Sequence, residues 1–518
     1  MDDNSAMKAA LFGGALVASF YYWYQSRHLI PLPPGPRGIP LLGSALEIKN
    51  AEAPWLKFAE YNNQYGPITA VPMLGERWII LSDPHLVSEL FEKRAANYSD
   101  RVANELVKMV GWDDSILFIQ YGPLLKRYRT LLQRALNNRA ALDYIPLQEY
   151  EARRFMRRLV EDPSGFMKHI HLMAASTAVR LTYGHKVESA DDINVRRAEE
   201  IMHRFSEVMS PSNAWIIDRF PFLRYVPAWF PFAGFKRQIQ YVKRIRDDQR
   251  SESFEHVVKQ VGEGTAENSF VAKLLQPEDG QPVDEETRIH IRNLAGSLYG
   301  GASDTTVSAI QSFFLAMTLY PEIQAKAQAE VDAYIEQRLA SGESSRMILP
   351  VDRSKLPYTS ALASEILRWH PVANMAGHRS SNEDDCNVIS DDNVYRIPAR
   401  SLVLANIWQI THDPEVYDEP ERFKPERYLV PTPPPLPESY AFGFGRRICP
   451  GVHIAQQSMW ISISNTLANF VIAKCKDEHG HEIVPEERYS TGAVSHPMPF
   501  QCTITPKNGL AQWLKEVE

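Results

Sequence analysis

A mostly helical domain with a small β-sheet region is the fold class this sequence predicts, on three observations. Residues 284–320 and 452–475 carry long patterns that read as helices, the first stopped only by Pro321. Alternating apolar runs are short and confined to residues 67–81, 394–408 and 500–505. No internal repeat, low-complexity linker or charge block divides the 518 residues, of which 44% are hydrophobic, ample for one large core. Residues 29–518 are therefore read as one domain. The net charge of −7 gives no footing for nucleic acid. Four cysteines (Cys386, Cys449, Cys475 and Cys502) form neither a disulfide framework nor a C-x-x-C pair, which suits a reducing compartment.

The chain opens with residues 7–24, which carry no charge after Lys8. As a helix they span roughly 27 Å, close to the ~30 Å hydrocarbon core of a bilayer. Tyr21, Tyr22, Trp23 and Tyr24 form an aromatic belt at its end, with Arg27, His28 and Arg37 following and Asp2 and Asp3 before it. Residues 1–28 are thus expected to be a single membrane anchor with the body on the cytosolic side. A cleaved signal peptide would want small residues where the aromatic cluster stands. Residues 31–36 (PLPPGP) make a stiff hinge.

Residues 67–81 read as a β-hairpin about Gly75, and Asp83-Pro84 starts a helix over 85–92. A basic helix follows, with Lys126, Arg127, Arg129, Arg134 and Arg139; in an acidic protein such a stripe suggests a docking surface. Residues 141–276 show helical patterns without a motif. His169 and His171 lie two apart, on different helix faces, which argues against a shared metal. The aromatic- and proline-rich residues 215–235 read as a lid or a membrane contact.

The helix over 284–320 carries Gly300, Gly301 and a polar Asp304-Thr305-Thr306 run in its middle. Each mid-helix glycine costs ~1 kcal/mol relative to alanine, so close approach of a flat group or a local widening must offset it. Residues 357–370 form the next helix, on which Glu365 and Arg368 share a face. Residues 394–408 alternate like strands around a turn, 500–505 read as a strand, and 491–496 as a turn able to reach the pocket.

One stretch gathers these elements: residues 441–451, AFGFGRRICPG. Cys449 sits between glycines, before Pro450 and an apolar helix, so its sulfur faces a helix N-terminus whose dipole and free N–H groups favour the thiolate. Gly443, Gly445 and Gly451 permit tight turns, and Arg447 can fork onto a carboxylate. A buried thiolate, a shaped backbone and an arginine for acid groups describe an axial ligand for haem iron.

Phe442, Gly445, Arg447, Cys449 and Gly451 match F-x-x-G-x-R-x-C-x-G, by which the chain resembles the cytochrome P450 family. The rest agrees in order. Gly301, Asp304, Thr305 and Thr306 resemble the family's oxygen-activating motif, with Ala302 where glycine is commoner. Glu365 and Arg368, with Phe423, Pro425 and Arg427, resemble its E-x-x-R and F-x-P-x-R pair, which implies a buried structural triad of Glu365, Arg368 and Arg427. Arg129 and His378 stand where the family binds haem propionates, with Arg379 the alternative to His378. Leu125 replaces the usual tryptophan, and Arg400 replaces a glycine, implying a distorted turn.

The resemblance implies a cytochrome P450 fold anchored in the endoplasmic reticulum membrane, holding haem b with Cys449 on the iron. It implies insertion of one oxygen atom from O₂ into a small, largely apolar organic substrate, with Asp304 and Thr305 handling protons. Electrons would come from NADPH through a separate NADPH–cytochrome P450 reductase, with cytochrome b5 as a second donor, since no G-x-G-x-x-G fingerprint is present. The wording of the motifs looks most like fungal enzymes of secondary metabolism and xenobiotic oxidation. Two rivals are a haem-thiolate isomerase or dehydratase, which typically lacks the acid–threonine pair, and a non-enzymatic haem protein, which has no use for a proton relay.

Overall fold

The computed structural model describes residues 30–516, apart from 103–104, 190, 209–216, 218–219, 228, 231–232, 278–279, 344, 381–382 and 391. The expected anchor, residues 1–28, lies outside the described residues, as does part of 215–235. No helix among the described residues is long and apolar enough to cross a membrane.

The helix Glu285–Leu319 runs through the body of the protein. Asp284 caps it, its side chain accepting from the Thr287 amide at 2.7 Å. Pro321 ends it by opening the next helix, Pro321–Ala340. Residues 307–318 of the long helix are buried on every face, the mark of a helix enclosed by others. Phe166–Tyr183 packs along it, and Ile145–Glu161 and Val452–Asn469 join the same core.

The small sheet lies to one side. Strands β1 (Ile68–Met73) and β2 (Glu76–Leu81) form the expected hairpin. Its turn places both Leu74 (φ 50°) and Gly75 (φ 87°) in the left-handed region that two-residue hairpins require. Beyond it come β3 (Met375–Arg379), β4 (Asp385–Ser390), β5 (Asn393–Ile397) and β6 (Leu402–Asn406). The sheet order is β1-β2-β6-β3, with β2 and β6 parallel.

Four sequence expectations change. Residues 394–408 do contain two strands, β5 and β6, but they do not pair with each other. β5 pairs with β4, and the turn sends β6 into the larger sheet. That turn forms without glycine: Arg400 takes φ 61°, at a cost of roughly 1 kcal/mol. The helix expected to reach residue 475 stops at Asn469. Residues 470–473 become β7 (Phe470–Ala473), because the paired strand gives this β-branched run a better partner than helix continuation. A minor hairpin of β8 (Cys475–Lys476) and β9 (Glu482–Ile483) follows. The last strand, β10 (Thr503–Pro506), pairs with β7 and begins later than the sequence suggests. Finally, Pro450 is not the first helical residue; Gly451 caps the helix, which starts at Val452.

Glu365, Arg368 and Arg427 meet without access to water. Arg368 Nη2 and Nε donate to Glu365 Oε1 and Oε2 at 2.8 and 2.9 Å. Arg427 Nε reaches both oxygens at 3.2 Å. Removing the carboxylate leaves two guanidiniums buried without their anion, which costs ~3–5 kcal/mol. Glu365→Ala should therefore yield little folded protein. A melting temperature within a few degrees of wild type would show the triad to be dispensable.

Candidate active site

The Cys449 loop is shaped by close backbone approach. The Cys449 amide donates to the Phe442 carbonyl at 2.7 Å, closing the loop before its helix. Gly443 (φ 76°) and Gly445 (φ 53°) both lie in the left-handed region. A Cβ on Gly445 would stand 2.0 Å from the carbonyl oxygen of Phe91, so no side chain fits. Phe91 is presented by a π-helical turn, Glu89–Lys93, which continues the short helix Pro84–Ser88. The sequence expectation of one plain helix over 85–92 missed this widening, and widened turns gather at functional sites.

Burial raises the pKa of Cys449, while the Gly451 N–H and the charge of Arg129 pull it back down. The helix N-terminus alone thus does not secure the thiolate; a cation on the sulfur would.

Around this loop the structure gathers cations. Arg129, on the helix Pro123–Leu136, donates through Nη1 to the Ile448 carbonyl at 2.5 Å. Arg447 is buried and donates to the carbonyls of Ser99 (2.7 Å), Ile116 (3.1 Å) and Ile119 (2.5 Å). Three of its five N–H groups are so committed. Burial and neighbouring Arg101 push its pKa down to about 9. His378, on β3, is buried and stacks on Phe91, with ring centroids 3.9 Å apart. Its Nδ1 meets the Tyr98 carbonyl at 2.8 Å, which fixes Nδ1 as the protonated nitrogen of the neutral ring. Burial and then Arg101 push its pKa down to about 3. Strand alternation turns Arg379 elsewhere, where Nε donates to the Arg400 carbonyl at 3.0 Å.

Arg101 is the residue that sequence reasoning missed. Its Nε is buried without any hydrogen-bond partner, and burial pushes its pKa down to about 10. Among the described residues, Arg101, Arg129 and Arg447 have no carboxylate within ion-pair distance. Asp100 is near enough to act on Arg447 but accepts the Tyr121 amide at 2.7 Å. A lone arginine in an unmotivated segment gives no sequence signal. Leu125, in the expected tryptophan position, is buried in the helical core.

This imbalance is what a flat cofactor bearing two carboxylates requires. The residues fit haem: Cys449 as iron ligand, with the guanidiniums of Arg101, Arg129 and Arg447 toward the carboxylates; His378, its one N–H committed to Tyr98, would join them only if Nε2 gained a proton.

On the long helix, Thr305 Oγ1 donates to the Gly301 carbonyl at 2.7 Å and Thr306 Oγ1 to the Ala302 carbonyl at 2.8 Å. Both hydroxyls thus loosen the helix ladder beside the glycine pair. Asp304 pairs with a residue the sequence reading did not connect to it: His496 Nε2 lies 3.1 Å from Asp304 Oδ1.

The family model for cytochrome P450 matches residues 33–504. The chain is 37% identical over 489 residues to the cytochrome P450 monooxygenase claR of Ampulloclitocybe clavipes, covering 93% of this chain and 88% of that one. It is 36% identical to the cytochrome P450 monooxygenase COX2 of Coprinopsis cinerea, over 92% of this chain and 89% of that one. Among solved structures, a zebrafish cytochrome P450 in complex with abiraterone superposes with a TM-score of 0.67 over 88% of this chain and all of that one. At 21% identity that likeness concerns the fold.

Gly445→Ala should abolish haem incorporation, since strain and the Phe91 carbonyl both oppose it. Haem content of the purified variant checks this. Stoichiometric haem would show that the loop can move aside.

Proposed function

The chain belongs to the cytochrome P450 family and is a monooxygenase, and from that premise we propose that Cys449 ligates haem for oxidation of a small, largely apolar organic substrate. The observation that carries the reading is the cluster of Arg101, Arg129 and Arg447 beside the Cys449 loop, buried or half-buried with no carboxylate at ion-pair distance among the described residues, with His378 next to it. When bound, the haem supplies dioxygen activation and transfer of one oxygen atom, which a thiolate ligand favours.

The chain's own residues do the rest. Arg101 and Arg447 hold the carboxylates, and their charges are worth more there because they are withdrawn from water. Thr305 Oγ1, with its own hydrogen committed to Gly301, keeps lone pairs to accept a hydrogen bond from a proton donor, and passing its own proton onward requires the hydroxyl to rotate off that carbonyl. Asp304 supplies the next proton in line.

The electron source in this reading is an NADPH–cytochrome P450 reductase, with cytochrome b5 as a second donor. Lys126, Arg134, Arg139 and Arg446 are exposed cations suited to an acidic partner. Arg127 is less suited than the sequence suggests, because Nη2 donates to Thr287 Oγ1 at 2.9 Å. Residues 1–28 would anchor the protein in the endoplasmic reticulum membrane. The exposed side chains of Phe222, Tyr225 and Trp229 (62, 71 and 78% exposed) support a second contact with lipid.

The test is reconstitution with the reductase, NADPH and ¹⁸O₂ against a panel of alkanes, alkylaromatics and alkoxycoumarins. Product carrying one ¹⁸O atom is the expected result, with a yield that falls as salt is raised. In Thr305→Ala, NADPH oxidation should continue while product per NADPH drops and hydrogen peroxide rises. Unchanged ratios would remove Thr305 from the mechanism. Conversion of a compound without O₂ would favour the isomerase reading instead.

Deleting residues 1–28 should release the protein from microsomes with haem retained. Flotation of the truncated protein with vesicles would shift the anchoring role to the 215–235 region.

A further inference from the structure

Asp304, Ser308 and Ser312 recur every four residues on the long helix, and each meets the same C-terminal segment. His496 Nε2 lies 3.1 Å from Asp304 Oδ1, and Ser308 Oγ donates to the Ser495 carbonyl at 2.5 Å. The Tyr489 hydroxyl donates to Ser312 Oγ at 3.2 Å. The segment is also tied to itself: the His496 amide donates to Ser490 Oγ at 3.0 Å, and the Ser490 amide to the His496 carbonyl at 2.8 Å. The Ser495 amide is held by the Val372 carbonyl at 2.9 Å. The backbone carrying His496 is thus fixed, while its imidazole and the Asp304 carboxylate both remain 22% exposed. A third titratable group faces the pair from the helix Phe166–Tyr183. His171 Nε2 meets the Gln311 amide at 3.3 Å. Burial lowers the pKa of His171, His496 lowers it further and Asp304 opposes them.

We propose that His496 is a positioning residue for Asp304 that also returns a proton to it in each catalytic cycle. The inference rests on the monooxygenase reading above. After Asp304 has passed its proton toward Thr305, a protonated His496 stands beside a carboxylate. The Nε2–H bond breaks, the Oδ1–H bond forms, and the ion pair becomes a neutral imidazole beside a carboxylic acid. Asp304 then gives that proton inward, and His496 takes another from solvent. One proton moves from water to the site in each round, and no electron moves. Burial opposes the charged form of His171, so the geometry rather than that ring places His496 as the donor to Asp304.

His496→Gln keeps a hydrogen-bond donor for Asp304 but carries no exchangeable charge, so it separates relay from support. The probe is the panel compound giving the highest ¹⁸O yield with wild type. Product per NADPH should fall roughly tenfold, with a larger solvent deuterium isotope effect on NADPH oxidation. Turnover driven by added hydrogen peroxide, and the spectral shift on binding the probe, should stay within about twofold of wild type, as neither needs this proton. His496→Phe, lacking the donor as well, should lower coupling at least as far. Wild-type coupling and isotope effect in His496→Gln would overturn the proposal. So would an equal loss of peroxide-driven turnover, which would mark His496 as structural. No ¹⁸O product from wild type would sink the monooxygenase reading, and this proposal with it.

Discussion

One carboxylate, Glu365, sets the frame of the irregular chain between β6 and the Cys449 loop. Its two oxygens hold Arg368 and Arg427, and Oε1 also accepts the Lys424 amide at 2.9 Å. The guanidinium edges turned away from Glu365 then bind carbonyls of a segment with little regular structure. Arg368 takes those of Thr411, Pro420 and Arg422, and Arg427 those of Asp418, Glu419 and Arg422. A segment without strand or helix partners must find other donors for its buried carbonyls. Here two arginines provide them, and the carboxylate makes their burial tolerable. The segment therefore needs no sheet of its own to stay folded.

The cluster beside Cys449 uses the same chemistry with its anion missing. Arg447 also spends its donors on carbonyls, pinning residues 99, 116 and 119 to the loop. No glutamate stands where Glu365 stands for the triad. The pKa values of Arg447, Arg101 and His378 are all depressed by burial, and the charge of Arg101 lowers those of Arg447 and His378 further. A folded protein tolerates such an arrangement when a ligand completes it. The contrast separates a structural charge group from a binding site: both are buried arginines, and only the presence of the acid distinguishes them.

What the sequence reveals here is local. The hairpin about Gly75, the Asp284 cap and the spacing around Cys449 each depend on residues within a few positions of one another, and each forms. The pairing partners of β5 and β6 depend on strands far along the chain, so an alternating run with a turn was a hairpin by pattern and two sheets in fact. The end of the helix at Asn469 depends on β10, some thirty residues later. Arg101 had no signal because its significance lies in the acids that are absent around it. The placing of Arg129 and His378 as candidates for the haem carboxylates rests on family resemblance; local pattern alone gives neither.

The Asp304–His496 contact had a signal that was available and unused. Asp304, Ser308 and Ser312 form a polar stripe, four residues apart, leading into the fully buried part of the long helix. Ser308 and Ser312 are 1% and 0% exposed, so water does not satisfy them. A buried hydroxyl without a partner costs ~1–3 kcal/mol. The stripe therefore demands a polar segment laid along it, and the turn at 491–496, flanked by Tyr489 and Ser490, supplies it. Once Ser308 and Ser312 fix the register of that segment, His496 arrives at Asp304 as a geometric consequence. The same contacts that seat the C-terminal segment thus decide which side chain Asp304 meets.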